Sequence, residues 1–461
     1  MWPEPQATTG LLVDLYHLDA AYVSWRTGQN APATFDLYTR SAPFGGTYLL
    51  TAGLEPALAF VRDFHYTEED LAYLARIKSY DPAFLDELRR FRFTGEILAM
   101  SEGTVAFAHE PLLRVTAPFR EALLLESGLL RAIGVSTLIA TKAARLVDAA
   151  AGREVADFGF RRAHDPYLAA RAAFIGGCAS TSFVAGAKVF DLPTGGTIPH
   201  ALVQAFPTEE EAFRAVAENL DRYSLLLDTY DVYAAIETAV AVALDARVRL
   251  GHELVAVRLD SGDLLADSKH VRGVLDEAGL GETKVLASGD IDEFRIAHLL
   301  QTGAPIAGFG VGGNLAVGLG TAASGTVGGV LGAVYKLVWY EGVGDPARIK
   351  LAGEKSTWPG RKQVYRIGAF EQDVIQLDDE PAPAGGSPLL HPAARNGEIV
   401  AELPSVQEIQ RRARTNVQSL PERYRAFHDP TPYPVQRSPG ILALRERAAR
   451  MGRSGKGARR N

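Results

Sequence analysis

Residues 253–290 read ELVAVRLDSGDLLADSKHVRGVLDEAGLGETKVLASGD. An apolar run of strand length ends in a polar cluster that holds Arg258, Asp260 and Asp263. A stretch of helix-like pattern follows, and a second short apolar run closes on Ser288, Gly289 and Asp290. Strand, helix and strand in that order predict parallel strands joined by right-handed crossovers. The pattern extends both ways, through EVADFG (154–159) and SLLLDTYD (224–231) before it and PIAGFGVGG (305–313) after it. Each run places its polar residues at its C-terminal end: Asp157, then Asp228 and Asp231, then Arg258, Asp260 and Asp263, then Ser288 and Asp290. In a βα barrel those ends share one face, where ligands bind, and an open parallel sheet gathers ligands along the same edge. No GxGxxG opens the first unit, which favours a barrel over a dinucleotide-binding sheet.

Outside this region the texture changes. Residues 1–125 mix strand-like runs, such as ATFDLYTR (33–40), with a helical stretch at 55–90 that carries the capping signal TEED at 67–70. Residues 121–147 read as a mostly buried helix, because Glu126 and Arg131 interrupt the apolar run. After about residue 345, RIKLAGEKSTWPGRKQVYRIG (348–368) and DVIQLDDE (373–380) look like hairpin material. PAPAGGSPLLHPAA (381–394) reads as a surface loop, and the basic end 445–461 as a disordered tail. The expected organisation is a β-rich α+β domain over 1–125, an α/β barrel over 126–345, a segment 346–440 that packs back on the first domain, and a basic tail over 441–461.

The bulk figures agree with a globular protein. The chain has 461 residues, 47% apolar and 22% charged, and a net charge of −7. That charge argues against a nucleic-acid partner. No signal peptide or membrane span is read at the N-terminus or elsewhere. The single cysteine, Cys178, excludes an internal disulfide and a cysteine-rich zinc site and fits a cytoplasmic setting.

Two glycine loops, LASGD (286–290) and GFGVGG (308–313), each follow a strand and precede a helix-like segment. Such loops let a backbone approach a phosphate, although glycines also serve tight turns alone. Arg161 and Arg162 follow one strand, and Arg258 lies beside Asp260. Guanidinium groups hold carboxylates and phosphates, and the same residues would equally build a structural network at a barrel mouth. In GGTIPHALVQ (195–204), a Gly-Gly-Thr turn leads to His200. A neutral imidazole can accept a phosphoryl group, and an isolated histidine can equally be structural.

Taken in order, DLYHLDAAY (14–22), FDLYTRSAPFGGTYLLTAGL (35–54), DFGFRRAH (157–164), GTIPHAL (196–202), LLDTYD (226–231), VRLDSGD (257–263), ASGDIDE (287–293), GFGVGG (308–313) and PGRKQVYR (359–366) resemble the nicotinate phosphoribosyltransferases. The resemblance implies an irregular α/β barrel plus a β-rich domain formed by both chain ends, and a homodimer with shared active sites. It implies that nicotinate and phosphoribosyl pyrophosphate give nicotinate mononucleotide and pyrophosphate, with ATP as co-substrate and Mg2+. His200 then matches the phosphorylated histidine. Tyr16, Phe158, Arg161, Thr197 and Arg258 match substrate positions, and Asp260 and Arg258 the catalytic ones. Ser288, Gly289, Gly310, Gly312 and Gly313 match the phosphate loops, and Arg40, Lys336, Lys355 and Arg361 are candidates for the diphosphate or ATP phosphates. No protein metal ligand is assigned.

The chain departs from the family pattern at Ala201, where serine is common, at Gly313 and Val13, where threonine is usual, and at His17, where glutamine is frequent. The alternatives are a nicotinamide phosphoribosyltransferase of the same fold, which would favour an acidic acceptor where AGAKVF (185–190) has Lys188, and a non-catalytic pyridine-nucleotide sensor.

Overall fold

The computed structural model describes residues 10–320, 329–351 and 356–457. These form two compact units, one made of residues up to Thr141 and from Val330 onward, the other beginning at Lys142. The boundary lies inside the helix Glu126–Ala149, where the sequence pattern had suggested 125/126.

The N-terminal part of the first unit carries β1 (Pro32–Thr39), β2 (Tyr48–Leu50), β3 (Glu96–Met100), β4 (Val105–Phe107) and β5 (Leu113–Pro118). The second unit follows with β6 (Glu154–Asp157), β7 (Ser180–Thr181), β8 (Arg222–Leu226), β9 (Glu253–Leu259), β10 (Lys284–Ala287) and β11 (Gly308–Val311). The chain then returns to the first unit through β12 (Ala333–Tyr340), β13 (Lys362–Ile367), β14 (Gln372–Leu377), β15 (Gly386–Pro388), β16 (Leu390–Arg395), β17 (Glu398–Ile399) and β18 (Val435–Arg437).

Both chain ends build the first unit's six-stranded sheet, in the order β12-β1-β5-β3-β16-β17. β1 is antiparallel to β12 on one side and to β5 on the other, so Asp36 lies opposite both Lys336 and Arg114. The aromatic-rich alternation of β1 buries Phe35 and Leu37 in a core shared with Leu113, Tyr335 and Val364. The TEED signal forms a full capping box between Thr67 and Asp70 at the start of helix Glu68–Ile77.

Two parts of this unit differ from the sequence reading. The stretch 381–394 contains β15 and most of β16, and β16 pairs with β3. Leu390, Ala393 and Ala394 are buried, and the register shift between Pro392 and Ala394 accommodates a proline that lacks a ladder donor. The basic tail begins as the helix Pro439–Gly457. Ile441, Leu444 and Ala448, at helical spacing, are buried among the arginines that dominate the composition there.

The second unit is the βα repetition read from 253–290. Its strands form a parallel sheet in the order β7-β6-β11-β10-β9-β8. This is a half-barrel. The two-residue β7 was too short to register as a strand in the sequence. The crossover helices Val232–Leu250, Leu264–Glu277 and Glu293–Gln301 begin at Asp231, Asp263 and Asp292, whose side chains accept hydrogen bonds from the first turn. The sheet thereby aligns the C-terminal ends of β6, β8, β9, β10 and β11 on one edge.

Candidate active site

At that edge the acidic residues separate into two sets. Asp231 accepts from the Ala234 N–H at 2.9 Å, and Asp263 from those of Leu265 and Ala266 at 3.1 Å, so both serve as helix caps. Asp157 is buried and accepts from Gly159 N and Thr181 Oγ1, each at 2.8 Å. Burial pushes its carboxyl above the ordinary range, and these bonds oppose that. Asp228 and Asp260 behave differently. The Asp260 N–H donates to Asp228 Oδ2 at 3.2 Å, and the Ser261 hydroxyl donates to the same oxygen. Asp228 Oδ1 is buried with no hydrogen-bond partner.

His200 is the first residue of the helix His200–Gln204, directly after Pro199. Its Nδ1 lies 3.2 Å from Thr229 Oγ1, and its Nε2 lies 3.9 Å from Asp260 Oδ2. Both side chains are about a third exposed, at 37% and 36%. The other oxygen of Asp260 accepts a hydrogen bond from the Ser288 hydroxyl. Loops after β8, β9 and β10 thus meet at one carboxylate and one imidazole.

Arg258, on β9, supplies a cation to this cluster. Burial pulls its guanidinium below the ordinary value, Arg161 adds to the shift, and Asp260 and Asp228 oppose it. Its Nε is buried and has no hydrogen-bond partner. Thr197, just upstream of His200, likewise has a buried hydroxyl without a partner. Buried polar groups are normally satisfied, so these two atoms are groups that a ligand's acceptor or donor would suit. Arg161 lies in the short 3-10 turn Phe160–Arg162 after β6, and its side chain is exposed.

Two of the loop glycines, Gly289 and Gly310, are required by close contact. Gly289 has φ +80°, and a Cβ there would stand 1.7 Å from the Asp260 carbonyl oxygen. At Gly310 a Cβ would come within 2.3 Å of the Phe158 ring, so the absence of a side chain on β11 makes room for that aromatic. Gly312 and Gly313 open the turn Gly313–Ala316, and Asn314 Nδ2 donates to Ile291 O at 2.8 Å, tying this loop to the one after β10.

The remaining expected residues belong to the first unit. Tyr16 projects from helix Leu15–Arg26 and is 60% exposed. Partial burial, Glu126 and Asp14 all raise its phenol. Its neighbour His17 is buried between Glu126, at 3.2 Å from Nε2, and Ser127, at 3.3 Å from Nδ1. Arg40 directly follows β1, and Lys336 lies on β12 opposite Asp36. Arg361 lies 3.6 Å from Glu341 and 3.7 Å from Asp378, so its charge is already engaged. Lys355 lies outside the described residues.

Asp228, Thr229 and Ser261 were not among the expected site residues. Their signal was present in LLDTYD and VRLDSGD, as polar residues immediately following apolar runs. Nothing local distinguishes the cap Asp231 from Asp228, which binds the loop after β9 instead.

Residues 11–134 match the family model described as nicotinate phosphoribosyltransferase (NAPRTase) N-terminal domain, and residues 386–445 match the one described as the C-terminal domain. A Mycobacterium tuberculosis protein named nicotinate phosphoribosyltransferase pncB2 is 39% identical over 447 residues, covering 95% of this chain and 93% of that protein. The chain belongs to the nicotinate phosphoribosyltransferase family. A Bacillus subtilis nicotinate phosphoribosyltransferase is also 39% identical, over 93% of this chain and 92% of its own. The crystal structure of human nicotinic acid phosphoribosyltransferase superposes with a TM-score of 0.81 at 29% identity, covering 94% of this chain and 99% of that one. The mixed architecture of half-barrel and antiparallel sheets is therefore that of the nicotinate phosphoribosyltransferase fold. Among the described residues no helix is long and apolar enough to cross a membrane, and no three His, Cys, Asp or Glu side chains are grouped to hold a metal ion.

Proposed function

We propose that this chain condenses nicotinate with phosphoribosyl pyrophosphate to give nicotinate mononucleotide and pyrophosphate, coupled to ATP hydrolysis through phosphorylation of His200. The observation that carries the reading is Arg258: a guanidinium on β9 with a buried, unpartnered Nε beside Asp228 and Asp260. Nicotinate is a flat anion at neutral pH. Its carboxylate suits Arg258 and the free Thr197 hydroxyl, and its ring suits the Phe158 face that Gly310 accommodates. Arg161 adds positive charge near the ring or the ribose. In a homodimer, Tyr16 would cover the ring of the partner subunit's site, which accounts for an exposed tyrosine.

As pyrophosphate leaves, the ribose acquires oxocarbenium character. Asp260, held by Ser288 and by the Asp228 contact to its backbone, places a carboxylate to stabilise that charge. The backbone N–H groups around Ser288, Gly289, Gly310, Gly312 and Gly313 would hold the 5-phosphate. Arg40 and Lys336, with Lys355, are the cations for the diphosphate or for ATP; Arg361 is the weakest member because of its existing ion pairs. The donor set fits magnesium held mainly through substrate phosphates, with Asp228 Oδ1 as a protein contact. When bound, that ion supplies neutralisation of the leaving diphosphate. Cytoplasmic operation is part of this proposal.

An end-point assay with nicotinate, nicotinamide and quinolinate in parallel, each with and without ATP, tests it. Product from nicotinate, stimulated by ATP, is expected. Product from nicotinamide alone would replace the reading with that of the amide enzyme, and no turnover of any of the three would favour a sensor. His200→Ala is expected to abolish the ATP stimulation, and equal stimulation in variant and parent would reject its phosphorylation.

A further inference from the structure

We propose that Thr229 is a positioning residue for His200: its hydroxyl donates to Nδ1 and, with Asp260 facing Nε2, fixes the imidazole in the tautomer that leaves Nδ1 as the nucleophilic nitrogen. This inference rests on the His200 phosphorylation proposed above and extends it to a residue outside the expected site. Thr229 lies between β8 and helix Val232–Leu250, immediately after Asp228. Its Oγ1 is 3.2 Å from His200 Nδ1. On the opposite side of the ring, Asp260 Oδ2 is 3.9 Å from Nε2.

The two neighbours differ in what they can do. An ionised carboxylate only accepts, whereas a hydroxyl both donates and accepts. At 3.9 Å the carboxylate lies beyond hydrogen-bond distance of Nε2, but its charge favours the neutral tautomer with the proton on that side of the ring. Nδ1 is then the bare nitrogen, and the Thr229 hydroxyl is the group placed to donate to it. The carboxylate in turn is held in place, since its other oxygen accepts from Ser288 and the Asp260 backbone N–H is bound to Asp228. The imidazole therefore meets a hydroxyl of adjustable direction on one side and a fixed anion on the other.

The phosphoryl step follows with its electrons accounted for. The Nδ1 lone pair forms a bond to the γ-phosphorus of ATP. The bond from that phosphorus to the β,γ-bridging oxygen breaks, and ADP leaves with the electron pair. The proton stays on Nε2, where the Asp260 carboxylate balances the positive charge the ring acquires. The Thr229 hydroxyl gives up Nδ1 as the phosphorus arrives and rotates to a phosphoryl oxygen, so the donor that marks the nucleophile becomes a donor to the product.

Three forms of the full chain separate this role from a structural one: the parent, Thr229→Val and Thr229→Ser. Labelling with ATP carrying a radioactive γ-phosphate measures how fast His200 is modified. Nitrogen-15 shifts of the labelled histidine, assigned by its loss in His200→Gln, report which ring nitrogen holds the proton. Thr229→Val keeps the shape and is expected to slow labelling by about tenfold, the scale of one lost hydrogen bond. It should also weaken the preference for the proton on Nε2, which then rests on Asp260 alone. Thr229→Ser should restore both within about threefold, and the Michaelis constant for nicotinate should stay unchanged in both variants. Parent-like labelling together with a parent-like proton position in Thr229→Val would overturn the proposal. If the parent itself takes no label, the phosphohistidine reading fails, and the nitrogen shifts alone decide whether Thr229 sets the tautomer.

Discussion

Buried charge is held in two ways in this molecule: in closed ion-pair clusters, found in both units, and at the strand-end edge of the half-barrel. In the first unit, Asp36 and Lys362 are fully enclosed, with Nζ 2.7 Å from the carboxylate and bonded also to the carbonyls of Trp358 and Gly360. Asp373 is gripped by Arg366 at 3.0 and 2.6 Å and by the Tyr433 hydroxyl at 2.8 Å. At the half-barrel edge, Arg258, Asp228 and Thr197 each keep a buried polar atom without a partner. The half-barrel also contains a closed cluster, Glu293 with Lys142 and Arg145, all essentially without solvent contact. Closed clusters hold the fold; at the half-barrel edge, the function proposed above has a ligand complete the set. A buried pair is costly to break from one side, whereas an incomplete site has already given up that stability in favour of binding.

The sharpest way to break the comparison is Glu293→Ala. Burial pushes Glu293 up, but Lys142 and Arg145 hold it below the ordinary glutamate value. Without it, two buried cations lose their carboxylate, and a loss of about 3–5 kcal/mol in denaturant unfolding is expected. Arg258→Ala tests the opposite class. Its stability should stay near the parent's, while the Michaelis constant for nicotinate rises by ~30-fold to several-thousand-fold, the equivalent of ~2–5 kcal/mol. That for phosphoribosyl pyrophosphate should move far less. Unchanged nicotinate dependence would remove Arg258 from the site.

Gly289→Ala lies between the classes, because its Cβ would collide with the Asp260 backbone at a left-handed φ. A stability loss of about 1–3 kcal/mol is expected, with a fall in kcat as Asp260 shifts. Stability and kcat both at parent level would show that the loop relaxes without moving the carboxylate.

Glu110→Gln sharpens the closed class through pH. Burial pushes the Glu110 carboxyl well above its ordinary value, and the facing Asp373 adds to this while Arg366 opposes it. The folded state therefore keeps a proton that the unfolded chain releases near its ordinary value of about 4.3. Stability from this group is complete below that pH and falls as pH rises toward the raised folded value. The glutamine variant should flatten the decline of Tm that begins above about pH 4.3, and an unchanged slope would mean that other groups cause it. The smallest effect is expected from Arg222→Ala, whose pair with Glu253 is exposed on both sides, at 68% and 59%. A change within about 0.5 kcal/mol should follow.

Much of the half-barrel was legible because its information is local. A strand such as Glu253–Leu259 announces itself through a short apolar run, and its loop through the polar residues that end it. The tail helix was obscured because Ile441, Leu444 and Ala448 are thinly spaced among arginines. β16 was obscured because Pro392 looks like loop material until β3 supplies a partner. The site was legible by residue type but not by role. Thr229 lies 29 residues from His200, and Ser288 28 residues from Asp260, so their contacts depend on the parallel register rather than on any local pattern.

The amino-acid order alone determined the alternation of strands and helices and the polar character of the strand ends, since periodicity and turn chemistry act between near neighbours. Tertiary structure decided which of those polar ends cap a helix, as Asp231 and Asp263 do, and which stay available, as Asp228 and Arg258 do. That distinction depends on which atoms lose water and which find a partner, and both are set only when strands distant in the chain lie side by side.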